Sequence, residues 1–273
     1  ENQISYPKSR YDSDLQAGRD NHYAFINYTS ALCCDQVLFN SSYHRESFLL
    51  GLEHIHSKYP DYRELDSITR IGGKSRVLHL GLDLKRLDIS KEQKRNEPPI
   101  ILWNHRWEYD KNPEEFFRAM KVLRDRKLSF NLAILGEKFR TSPPIFNEIQ
   151  DQLADRLLHF GFVQSYAAYA SWLWRSSLLP ITSRQDFFGA SIMEAVYCKT
   201  IPLLPNRLTY PELLPEAFHK DCIYVNFEEL LTKLENMLLN PGYPATELAA
   251  SAAKYDWSVM APVYDRCFEE IVS

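Results

Sequence analysis

Two cations and two carboxylates carry most of the chemistry this sequence offers. Arg106 and Lys111 lie five positions apart in Asn104-His105-Arg106-Trp107-Glu108-Tyr109-Asp110-Lys111, directly after the apolar run Ile100–Trp103. Asp186 and Glu194 lie eight apart in Asp186-Phe187-Phe188-Gly189-Ala190-Ser191-Ile192-Met193-Glu194. Two fixed cations on one strand-to-helix loop suit a diphosphate, whose negative charge grows as the bond to a leaving group breaks. An acid just before a helix can bind sugar hydroxyls, and an acid two turns in can bind a ribose diol. Between them Gly189 lets the backbone approach a ligand closely. The amides of Phe188, Gly189 and Ala190 at the helix start favour an anion. Each feature also has a plainer reading. The cations can be surface charges, Asp186 a helix cap and Glu194 a buried helix carboxylate. A third piece, Gly161-Phe162-Val163, offers a backbone edge to a flat base, with Phe162 as an apolar wall.

Residues this far apart in the chain meet only if a scaffold gathers their loops. From Ile100 onward the pattern alternates. Strands are expected at Ile100–Trp103, Phe130–Leu135, Leu157–Phe162, Leu178–Thr182 and Thr200–Leu204. Helices are expected from Pro113 to about Arg126 and at Ile145–Leu153, Tyr166–Arg175 and Gly189–Cys198. The first opens on Asn112-Pro113 with Glu114-Glu115 behind it, a helix N-terminus with acids in its first turn. Helices Phe227–Leu239, Thr246–Lys254 and Val259–Ile271 close the chain. Such alternation predicts an α/β fold with a doubly wound parallel sheet over 100–258, whose ligands bind beyond the carboxyl ends of the strands. Upstream, Val37-Leu38-Phe39 reads as a strand, Ser41-Ser42 as a cap, Tyr43–Leu52 as a helix and Arg76–Leu82 as another strand. That is too little for a complete second sheet, so 1–85 is expected to be an incomplete α/β domain. The charged stretch 86–99 is expected as a linker, and 259–273 as a helix that packs back on the N-terminal part.

Composition narrows the class. With 273 residues, 45% hydrophobic and 25% charged, the chain suits a soluble globular protein of one large or two modest domains. A net charge of −4 argues against wholesale coating of nucleic acid, leaving room for a local basic patch. Lys85, Arg86, Lys91, Lys94 and Arg95 form one such cluster, and Arg118, Lys121, Arg124, Arg126 and Lys127 another; both read most simply as solvated faces. Cys33, Cys34, Cys198, Cys222 and Cys267 have no regular spacing, which suits reduced thiols, not a disulfide framework or a zinc site. No run reaches the ~20 apolar residues of a membrane span. The expected location is the cytoplasm.

Taken together, the motifs resemble the GT4-like glycosyltransferases of GT-B type. The resemblance rests on Arg106 and Lys111, then Gly136 and Gly161 at strand ends, then Asp186 with Glu194. It implies that Arg106 and Lys111 bind the donor diphosphate, Asp186 the donor sugar and Glu194 the ribose. Asp186 stands where that pattern carries Glu. A closer resemblance, to the tRNA-queuosine α-mannosyltransferases, covers most of the chain. It is carried by Glu1-Asn2-Gln3-Ile4-Ser5-Tyr6-Pro7, Trp103 through Phe117, Ile134-Leu135-Gly136-Glu137-Lys138-Phe139, Asp186-Phe187-Phe188-Gly189 and Met193-Glu194-Ala195-Val196-Tyr197-Cys198. It implies transfer of mannose from GDP-mannose to queuosine in a tRNA anticodon, with retained configuration and no metal or other cofactor. Members begin further upstream, with a His directly before the Glu-Asn-Gln string, so the chain is expected to be a fragment. Glu1, Asn2, Gln3, Asn40 and Ser41 are expected on the acceptor side. Tyr210-Pro211-Glu212 is either a wall of the donor pocket or a turn. Of the isolated histidines His22, His44 and His105, the last neighbours Arg106 and is singled out for test. A GT4 enzyme with a lipid or polysaccharide acceptor, and a non-catalytic module binding nucleotide sugar or tRNA, are the alternatives.

Overall fold

The structure is a computed structural model describing Ile4 and residues 22–58, 60–61, 63–91, 98–138, 142–240 and 242–273. It divides into two compact units, Glu1–Leu80 with Met260–Ser273, and Gly81–Val259.

The first unit holds α1 (His22–Cys33), β1 (Val37–Phe39), α2 (Ser42–His56), α3 (Leu65–Gly73) and β2 (Ser75–Val77). β1 and β2 pair in parallel, Val37 opposite Ser75. Phe39, Phe48, Leu52, Ile68 and Ile71 form its core. Leu78 packs with Met260 and Cys267 from the last helix of the chain, Trp257–Val272, and Arg76 reaches Glu270 at 2.6 Å. Two helices here lie beyond what the sequence pattern announces. In α1 apolar and polar residues mix around the axis, leaving Phe25 and Ile26 exposed. The α3 helix enters through a left-handed Glu64 and ends on Gly72-Gly73, both of which read as turn signals.

The second unit alternates strand and helix. In order come β3 (Ile100–Trp103), α4 (Pro113–Asp125), β4 (Asn131–Leu135), α5 (Ile145–Gln152), β5 (Leu157–Gly161) and α6 (Tyr166–Arg175). Then follow β6 (Leu178–Pro180), α7 (Ala190–Tyr197), β7 (Ile201–Pro205), β8 (Ile223–Tyr224), α8 (Phe227–Leu239) and α9 (Ala245–Ala252). The strands form a six-stranded sheet in the order β5-β4-β3-β6-β7-β8, every neighbouring pair parallel. Helices cover both faces, so β3 and β7 are buried at every residue and read as unbroken apolar runs. β8 has only two residues, too few to show a pattern.

This strand order has one consequence for function. The chain leaves β3 toward β4 and β5, then returns to place β6 on the other side of β3. The loops after β3 and β6 therefore diverge to opposite faces and open a crevice between them. Those two loops carry Arg106, Lys111 and Asp186, and the helix after the second carries Glu194.

The stretch read as a linker is structured where it is described. Lys85–Ser90 forms a 3-10 helix with Leu84 and Leu87 fully buried. The Trp174 indole N–H donates to the Leu87 carbonyl at 2.9 Å, and Asp256 accepts from the Lys85 amide at 3.1 Å. Two leucines among the charges suffice to seat this segment on its own unit; residues 92–97 lie outside the described residues.

Candidate functional site

Two tryptophans fix the loop after β3. The Trp103 indole N–H donates to the His105 carbonyl at 3.0 Å, and that of Trp107 donates to the Leu135 carbonyl at 3.2 Å. Trp107 also stacks on Phe146, with ring centroids 4.3 Å apart. Gly136, at φ +126°, lets the loop come this close. A Cβ there would stand 2.2 Å from the His105 carbonyl oxygen and 2.9 Å from the Trp107 ring. Gly136 thus acts on the site through its bare backbone.

The loops after β3 and β6 are tied to each other. The Thr182 hydroxyl donates to the carbonyls of Lys111 and Asn112, each at 3.0 Å, and the Arg184 amide donates to the Asp110 carbonyl at 2.7 Å. The two cations then part. The Arg106 side chain is 58% exposed, pairs with Glu108 at 3.2 Å and lines the cavity described below. The Lys111 side chain is only 13% exposed. Its ammonium lies 3.1 Å from Asp110 and donates to the Gln185 carbonyl at 2.9 Å, one residue from Asp186.

The acids differ as well. Asp186 folds onto its own loop. One carboxylate oxygen accepts from the amides of Phe188 (3.2 Å) and Gly189 (2.8 Å), and the other accepts from the Tyr210 hydroxyl at 3.5 Å. Asp186 thus closes the turn before α7 and does not cap the helix, whose N-cap is Gly189 with no side-chain cap bond. Gly189 enters α7 at φ +83° with Leu213 and Ile192 against it. Phe188 is a core side chain, edge-on to Tyr255, so any ligand contact from it comes from its backbone. Glu194, one turn into α7, accepts a 2.7 Å hydrogen bond from the Tyr169 hydroxyl of α6. Burial raises the Glu194 carboxyl above its usual range, and the Tyr169 bond opposes that. The same burial, with Glu194 beside it, drives the Tyr169 phenol well up.

Beyond the ends of β3, β4 and β5, with α7 at its side, opens a cavity of about 450 Å³, within the range of small-molecule sites. Arg106, Gly136, Phe162 and Glu194 line it, together with Asn104, His105 and Tyr169. Phe162 is 58% exposed, an aromatic face free for a flat ring. Gly161, at φ +123°, precedes it at the end of β5, where a Cβ would meet nothing within 4 Å. Lys111, Asp186, Phe188, Gly189 and Ala190 stand outside the lining. The first two are joined to it through the β3 and β6 loops. Tyr210-Pro211-Glu212 forms a one-turn helix with Tyr210 buried against Asp186. Asn104, Tyr169 and Ser191 were not marked by sequence. The signal for Tyr169 lay in its i,i+3 spacing from Tyr166, which puts both on one helix face just after the Gly161-Phe162 edge.

Of the acceptor-side residues, Glu1, Asn2 and Gln3 lie outside the described residues. Asn40 and Ser41 belong to the first unit. Ser41 is 1% exposed and caps α2, its hydroxyl accepting from the His44 amide at 3.0 Å. The Asn40 side chain lies 2.8 Å from the His44 Nδ1. Burial pushes His44 down to about 4, so its ring is neutral at pH 7. Among the described residues no group of three His, Cys, Asp or Glu side chains is placed to hold a metal. No described helix is long and apolar enough to cross a membrane, and all five cysteines are free.

Comparison with known proteins adds to this geometry. Residues 1–82 match the family described as tRNA-queuosine alpha-mannosyltransferase N-terminal, and residues 85–256 match glycosyl transferases group 1. A curated relative, the tRNA-queuosine alpha-mannosyltransferase of Drosophila melanogaster, is 31% identical over 249 residues, or 88% of this chain. The chain spans 63% of that relative's length. Among solved structures, a sucrose-phosphate synthase from Thermosynechococcus elongatus matches with TM-score 0.70 at 17% identity, covering 94% of this chain and 63% of that one. Anabaena HepE in complex with UDP and glucose matches with TM-score 0.68 at 15% identity, covering 97% and 70%. These likenesses show the fold, which is that of the GT-B glycosyltransferases.

Proposed function

The chain belongs to the group 1 glycosyl transferases, and we propose that it acts as a tRNA-queuosine alpha-mannosyltransferase, the name of the relative and of the N-terminal family it matches, moving mannose from GDP-mannose to queuosine in a tRNA anticodon with retained configuration and no resident metal. The observation that carries the reading is the cavity beyond the carboxyl ends of β3, β4 and β5. There a guanidinium, a bare-backbone strand end, an exposed aromatic face and a carboxylate on a helix line one space. Each matches one part of a sugar nucleotide: Arg106 the diphosphate, Gly136 a close backbone approach, Phe162 the base and Glu194 the ribose diol. Lys111 adds its charge from beneath the loop, and the α7 amides add theirs. An acceptor in tRNA is consistent with the expected location in the cytoplasm.

Retention needs the acceptor to attack from the side the leaving group departs. In that front-face geometry the departing phosphate oxygen takes the proton of the acceptor hydroxyl as the new glycosidic bond forms. Negative charge builds on the diphosphate during the step, and fixed cations stabilise it without reorganising. The test is incubation of the chain with labelled GDP-mannose and tRNA. The reading predicts label on the queuosine nucleoside, none on tRNA lacking queuosine, and no transfer from UDP-glucose. Label that ignores queuosine would refute the acceptor.

A further inference from the structure

His105 stands in the cavity lining between Asn104 and Arg106, and at 5% exposure it is among the most enclosed polar side chains there. Its position is fixed from several sides. Trp103 holds its carbonyl, and the Trp103 ring meets the imidazole edge-on at 5.5 Å. The imidazole Nδ1 lies 3.3 Å from the Ser191 hydroxyl in the first turn of α7. The other ring nitrogen, Nε2, is buried with no hydrogen-bond partner among the described residues. The neighbouring Asn104 Oδ1 is in the same state. The Asn104 amide is oriented without ambiguity, because its nitrogen donates to the Ser191 carbonyl at 2.7 Å and a carbonyl can only accept. A buried, unpaired polar atom is costly in an empty protein, and a rigidly held one is what a bound ligand would complete.

We infer that His105 is a donor-binding residue: its Nε2–H donates to a diphosphate oxygen of the sugar nucleotide, and Ser191 holds the ring in the tautomer that makes this possible. The inference rests on the reading of this cavity as a nucleoside-diphosphate site. An anionic oxygen only accepts, so Nε2 must carry the proton, and Nδ1 must then accept from the Ser191 hydroxyl. The ring is neutral in this role. Burial and the nearby Lys111 ammonium push its titration down to about 3, which makes it too weak a base to deprotonate an acceptor. Lys111 behind the ring and Arg106 in the lining favour an anion at the ring edge, against the carboxylates of Glu137 and Glu194 that also line the cavity. The unpartnered Asn104 Oδ1 beside it is an acceptor, suited to a hydroxyl of the same ligand.

The test is calorimetric titration of the chain with GDP and, separately, with guanosine, which keeps base and ribose but lacks the diphosphate. His105→Phe should weaken GDP tenfold or more, as loss of a hydrogen bond to a charged group does, and leave guanosine within about twofold. His105→Gln, whose amide nitrogen falls near Nε2, should recover most of the GDP affinity. His105→Asn, whose nitrogen falls near Nδ1, should not. Ser191→Ala should fall between the parent chain and His105→Phe. Equal GDP binding by parent and His105→Phe overturns the inference, and so does an equal loss for GDP and guanosine. If His105→Phe does not fold, Asn binding GDP as tightly as Gln overturns it. A parent chain that binds neither ligand overturns the cavity reading and this inference with it.

Discussion

The charged residues around the cavity are not equivalent, and mutation should separate them. Arg106 is exposed and, among the described residues, pairs with Glu108 on its own loop. Arg106→Ala should slow transfer by roughly 10²–10³, the loss expected for one electrostatic donor, and leave thermal unfolding unchanged. Lys111→Ala should slow transfer as much and also destabilise the fold. It strips the buried Asp110 of a partner 3.1 Å away, and breaking such a pair costs about 3 kcal/mol. Calorimetric unfolding of both variants checks the contrast. Glu194 makes a third case. Its folded-state pKa is raised by burial, so the folded protein holds that proton more tightly than the unfolded chain. The penalty is absent below the ordinary carboxylate range, appears as pH rises through the raised value and is full above it. Glu194→Gln should therefore raise the melting temperature at pH 8, the gain should vanish toward pH 4, and binding of GDP should be lost; a gain that grows toward acid would contradict the assignment. Arg106, Phe162 and Glu194, picked out by residue type, spacing and family resemblance, line one cavity. What stayed hidden was the division of labour. Residue spacing places Lys111 and Asp186 on the right loops, but only the fold shows that their polar atoms are already engaged by Gln185, Phe188 and Gly189.

At the level of elements, the site depends on the join between β4 and the loop after β3. Gly136→Ala forces a Cβ to within 2.2 Å of the His105 carbonyl at a φ of +126°, a conformation that costs a side chain roughly 1–3 kcal/mol before any clash is counted. The variant should lose about 2–3 kcal/mol in urea unfolding and bind GDP poorly, because the displaced loop carries Arg106. By contrast Gly161→Ala meets nothing in space and should show only the backbone cost. The helices and strands from Ile100 to Leu239 were readable to within a few residues, because buried parallel strands are unbroken apolar runs and their helices are amphipathic. β8 escaped because two residues carry no period, and α1 and α3 escaped because mixed polarity and Gly72-Gly73 mimic irregular chain.

For the whole molecule, strand order matters more than any single element. Alternation in sequence predicts a parallel sheet but leaves the order of strands open; the reversal between β3 and β6 is a property of the fold. It brings a loop near residue 106 and a helix near residue 194 around one cavity. The C-terminal residues from Met260 join the first unit through Leu78 and the Arg76–Glu270 pair. Arg76→Ala should accordingly lower the stability of that unit by no more than about 1 kcal/mol, as exposed pairs do, with donor binding unchanged in calorimetry. The central claim is that this cavity holds the sugar nucleotide, and a crystal structure of the chain grown with GDP-mannose tests it most directly. The account predicts the diphosphate against Arg106, the ribose at Glu194 and the base over Phe162; a nucleotide seated elsewhere, with that cavity holding solvent alone, would contradict it.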